Sequence, residues 1–69
     1  MNKNDKAYIE LLRAFPPRPI SSEAEFLATQ NVINRLIDKG KLTPDEEDYL
    51  DILGNTVYSY EENILKLKT

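Results

Sequence analysis

The chain has 69 residues, no cysteine and no histidine, and a formal net charge of −3. These facts exclude disulfides, the usual structural zinc sites, and the Cys–His and Ser–His–Asp catalytic constellations. A core this small supplies only about 3–5 kcal/mol, so well-packed helices and self-association are the staples left to it.

The first element is a helix expected over residues 4–15. Ala7, Tyr8, Leu11, Leu12 and Phe15 share one face at helical spacing, with Asn4 as N-cap and Asp5 favourable in the first turn. A helix this short is marginal alone and must dock on something. Residues 16–21, with Pro16, Pro17 and Pro19, cannot be helical because proline lacks an N–H and disfavours the α region for the residue before it. A stiff, extended linker is expected there.

A second helix is expected over 22–39. Ser22 and Glu25 form a capping box at its start. Phe26, Thr29, Ile33, Leu36 and Ile37 make its apolar stripe, with Val32 on the shoulder and Leu27 off the stripe, where it would meet the first helix. Gly40 is the natural residue past its end. The third helix, expected over 44–67, opens on the clearest local signal in the chain. Thr43 is the N-cap, Pro44 occupies the first helical position, and Glu46 closes a capping box. Only a few residues join it to the second helix, so the two should fold back as an antiparallel hairpin. The expected class is all-α: three helices in one domain.

Two stripes run along the third helix. Leu50, Leu53, Val57, Tyr60, Ile64 and Leu67 alternate at three and four residues, an a/d seam for the second helix. At a rise of about 1.5 Å per residue the third helix reaches about 36 Å and the second about 26 Å, so the third overhangs and its last two turns, with Ile64 and Leu67, need a cover. Gly54, Tyr58, Glu61 and Leu65 form the other stripe, in which glycine leaves room for another backbone. Either the first helix covers this stripe within the chain, or a partner or second copy does. Gly54, Tyr58, Glu61, Ile64 and Leu65 are therefore the candidate partner-binding residues.

No base, nucleophile or phosphate-cradling loop is legible, so no enzymatic activity, small-molecule substrate or cofactor is expected. The carboxylates Asp45, Glu46, Glu47 and Asp48 fan around a helix start instead of converging on a metal. They are read as a solvated terminus matched to the helix dipole. Nine Lys and Arg against twelve Asp and Glu give no basic stripe for nucleic acid. An acidic surface suits a basic protein partner, or simply solubility. No apolar run is long enough to span a bilayer and nothing resembles a signal peptide, so a cytoplasmic location away from membranes is expected.

Three strings in order carry a family resemblance: Tyr8-Ile9-Glu10-Leu11-Leu12-Arg13-Ala14-Phe15-Pro16-Pro17-Arg18-Pro19-Ile20-Ser21-Ser22-Glu23, Leu42-Thr43-Pro44-Asp45-Glu46-Glu47-Asp48-Tyr49-Leu50-Asp51-Ile52-Leu53, and Val57-Tyr58-Ser59-Tyr60-Glu61. Together they resemble the N-terminal helical region of HigA-type antitoxins and related bacterial helix-turn-helix regulators. The resemblance implies association with a messenger-RNA-cleaving toxin or with a second protomer as a homodimer. In that family an operator-binding domain follows, and it would begin just past Tyr60-Glu61. No second glycine-turned, basic helix pair is present here, so operator binding is not carried over to this chain. An alternative from a different class is a structural or assembly domain that self-associates or docks on an unrelated protein.

Overall fold

Thr43 and Glu46 close on each other as their spacing predicts. The Glu46 backbone N–H donates to Thr43 Oγ1 at 3.1 Å, and the Thr43 N–H donates to Glu46 Oε1 at 3.0 Å. Two of the orphan donors at the helix start are satisfied, and Lys39 from the preceding helix pairs with the other Glu46 oxygen. One residue thus caps the third helix and ties it to the second.

The computed structural model describes residues 6–68, with side chains as far as Lys66. It is all-α. Helix α1 covers Lys6–Ala14, α2 covers Glu23–Asp38 and α3 covers Pro44–Lys68. The proposed first cap, Asn4 with Asp5, lies outside the described residues, as does the Leu67 side chain. The second helix keeps its expected cap residues, with Ser22 extended at one end and Lys39 at the other. Gly40 follows at φ +80°, the left-handed conformation that glycine adopts without a Cβ penalty.

The capping box of α2 differs from expectation in one detail. Glu25 N–H donates to Ser22 Oγ at 3.2 Å, but the Glu25 carboxylate reaches one residue further back, accepting from Ser21 N–H at 2.8 Å and Ser21 Oγ at 2.9 Å. The extended Ser22 turns the preceding residue into line with the carboxylate.

Helices α2 and α3 form the antiparallel hairpin. Ile33, Leu36, Tyr49 and Leu53 are its buried centre, flanked by half-buried Val32, Leu42, Leu50 and Val57. Phe26 near the start of α2 stacks on Tyr60, ring centroids 5.3 Å apart. Helix α1 packs on α3, and its Leu11 and Leu12, with Phe15 just past its end, complete the core. The Tyr49 hydroxyl donates to the Phe15 carbonyl at 2.5 Å, and burial raises its pKa. Past Phe15 the proline segment is extended and lies along Ile52, Thr56 and Tyr60 of α3 before turning into α2.

Leu27 and Asp45 depart from expectation. Leu27 does not meet α1; it is exposed, because α1 docks on α3 at the opposite end of α2. Asp45 is not solvated. It is only 6% exposed and shares a cleft with Ala7, Leu11 and Ala14 of α1. The short α1 settles over the start of α3 and shields Asp45 from water. One Asp45 oxygen and the Gln30 amide oxygen are buried without a hydrogen-bond partner among the described residues.

The caps make stability depend on pH. The Ser21 N–H and hydroxyl hold Glu25 below the ordinary carboxylate value of 4.5, and Lys39 followed by the Thr43 N–H does the same for Glu46. A carboxylate whose pKa is lower folded than unfolded stabilises the fold above its unfolded pKa. That contribution is lost as pH falls through the folded value. The melting temperature should therefore drop as pH is lowered from 4.5. The double variant Glu25→Gln/Glu46→Gln should show a shallower acid limb in a thermal melt series.

Candidate functional site

Helix α1 and the proline segment occupy one side of the hairpin. Ala7, Leu11 and Ala14 face Thr43–Glu46, and the prolines run along the Ile52–Thr56 side of α3. The other side carries the Gly54–Tyr58–Glu61–Leu65 stripe. Neither covering element reaches its large residues: Tyr58 is 62% exposed and Leu65 65%. Glu61 is exposed beside them, and Gly54 is half-buried. Ile64 turns toward the hairpin, half-buried in line with Val57 and Tyr60. Four of the five candidate residues thus share one open stripe, and Ile64 belongs to its core-side edge.

The stripe continues into a cleft between the two helices. Ile37 of α2 and Leu50, Gly54 and Asn55 of α3 line it, with Glu47 and Asp51 at its edge. Ile37 was expected in the α2 core stripe but is 57% exposed. It follows buried Leu36 by one residue, a step of about 100° around a helix, enough to carry it out of the hairpin seam. That angular offset accounts for its exposure. The lining holds two carboxylates and no basic side chain. Further along α3, the Tyr58 hydroxyl donates to Glu62 Oε2 at 2.9 Å, which raises the Tyr58 pKa and fixes the ring against the helix surface.

Packing among the described residues does not require a glycine at position 54. It has negative φ within a 25-residue helix, and a Cβ built on it meets nothing within 4 Å. Glycine inside a helix is less favourable than alanine by roughly 0.5–1 kcal/mol. Gly54→Ala should therefore stabilise the isolated chain by about that amount, raising its melting temperature by a few degrees in calorimetry.

Chemically, this surface is apolar with an acidic edge. It offers two large, exposed side chains, a cleft with an apolar floor, and a carboxylate edge. Among the described residues no group of three or more acidic side chains is placed to hold a metal, and no helix is long and apolar enough to cross a membrane. No family model, curated protein or solved structure matches the chain.

Proposed function

We infer that this chain is a non-enzymatic helical module that works by binding another protein through the open side of the α2–α3 hairpin. The exposure of Tyr58 and Leu65, on a side that α1 and the proline segment leave uncovered, is the observation that supports this reading. Exposed aromatic and aliphatic anchors beside an apolar depression are the usual makings of a contact surface. The family resemblance supplies the most concrete partner, a basic messenger-RNA-cleaving toxin held by an antitoxin-type protein in the cytoplasm. The chain's excess of carboxylates is complementary to such a partner.

Co-expression with a toxin-like protein encoded next to this chain tests the antitoxin reading. A stable complex that co-purifies supports it, and failure of the two to co-purify removes it. Sedimentation of the chain alone at tens of micromolar separates this reading from the self-associating one. A monomer is expected, and a stable dimer would mean that a second protomer is the partner.

A further inference from the structure

We propose that the occupant of the Ile37–Leu50–Gly54 cleft is a basic amphipathic helix of a partner protein, crossing α3 at Gly54. This rests on the interaction-module reading and adds to it the element and the charge of the partner.

The first observation is Gly54 itself. The residue that would best suit this helix position is alanine, and among the described residues nothing lies within 4 Å of where its Cβ would stand. A glycine kept in the middle of an exposed helical stripe lets another backbone approach more closely than any side chain allows. The neighbouring shape agrees. Ile37 and Leu50 flank the glycine as cleft walls, and Tyr58 and Leu65 stand further along the same stripe. Anchors spaced along one helix beside a depression between two helices match the way an amphipathic helix lays its apolar face into a groove.

The second observation is charge. Glu47 and Asp51 edge the cleft, and Glu61 stands exposed further along the stripe. A second copy of the chain would bring the same carboxylates with it. With two copies of α3 antiparallel about a two-fold axis at Gly54, Glu47 of one copy faces Glu61 of the other and Leu50 faces Tyr58; with the copies parallel, Glu47 faces Glu47 and Glu61 faces Glu61. Like charges opposed across an interface oppose association, whereas Lys or Arg flanking a partner's apolar stripe meets the same carboxylates favourably. Charge thus separates the two occupants that the shape alone admits.

The test uses two synthetic peptides of about 18 residues, long enough to be helical, that share one Leu/Ala stripe and carry either Lys or Glu at all flanking positions. Each is titrated into the full-length, isotopically labelled chain and followed by amide chemical shifts. The Lys peptide is expected to shift the amides of Ile37, Gly54 and Tyr58, and the Glu peptide to leave them unmoved. Gly54→Leu should weaken binding of the Lys peptide by at least about tenfold, as filling the centre of a contact does. Gly54→Ala should weaken it less while melting at a higher temperature than the parent, so lost binding is not lost folding. Glu10→Lys, on α1, serves as the remote charge control and should leave binding within about twofold of the parent.

Three results would overturn the proposal. They are equal binding of both peptides, equal weakening by Glu10→Lys and Gly54→Leu, and a peptide-free dimer that Gly54→Leu abolishes. If a co-expressed partner is retained by the chain but Gly54→Leu leaves that complex intact, the interaction reading stands and the helix-in-cleft assignment falls.

Discussion

Replacing Leu53 with alanine should leave most of the chain unfolded at 25 °C. Leu53 is fully buried at the centre of the α2–α3 seam, packed with Ile33, Leu36 and Tyr49. Truncating a buried leucine removes its transfer free energy and leaves a cavity, together about 2–5 kcal/mol. A single small core supplies about 3–5 kcal/mol, so the loss consumes most or all of the stability. Relaxation of the neighbours cannot close the gap cheaply, because Tyr49 is held by its hydrogen bond to Phe15 and the helices are tied by Lys39 and Glu46. Circular dichroism melts check this. A melting temperature unchanged in Leu53→Ala would mean that the seam is not the core.

Tyr49→Ala should be as damaging, for a second reason. Tyr49 is the other fully buried large side chain among the described residues, and truncation of a buried aromatic costs about 3–5 kcal/mol. Its hydroxyl also meets the carbonyl of Phe15, immediately after α1 and before the prolines. The tyrosine therefore both fills the hairpin and pins α1. The conservative variant separates the roles. Tyr49→Phe keeps the ring and loses the hydrogen bond, at an expected cost of about 1–1.5 kcal/mol. In Tyr49→Phe, amide exchange should accelerate in α1 more than in the hairpin. Equal acceleration throughout would show that the hydroxyl has no special hold on α1.

Much of this architecture was readable because it is encoded locally. Thr43, Pro44 and Glu46 specify a helix start within four residues, and Gly40 specifies the preceding stop. The a/d spacing placed Leu53 correctly, because one face of a long helix is visible in one stretch of chain. Features that depend on remote contacts were not readable. Asp45 was expected in water, since nothing in its neighbourhood reveals that α1 will settle over it. Leu27 was expected to meet α1, but periodicity gives a residue's direction around its own helix and not which element lies that way. The Gly54–Tyr58–Leu65 stripe was legible as a stripe. Its continuation through Ile37 into a cleft was not, because that residue comes from the facing helix.

The length of α3 has a kinetic consequence. At 25 residues α3 is the longest of the three helices, and its final turns run past the Phe26–Tyr60 stack into exposed Leu65 and Lys66. Backbone hydrogen bonds without tertiary cover open by fraying, independently of global unfolding, whereas those around Leu53 open only with the whole core. Amides from Glu61 to Lys66 should therefore exchange with solvent deuterium orders of magnitude faster than those around Leu53. Anything that grips Leu65 would slow that exchange without altering the core, so the protection of one helical end reports whether the open side is occupied.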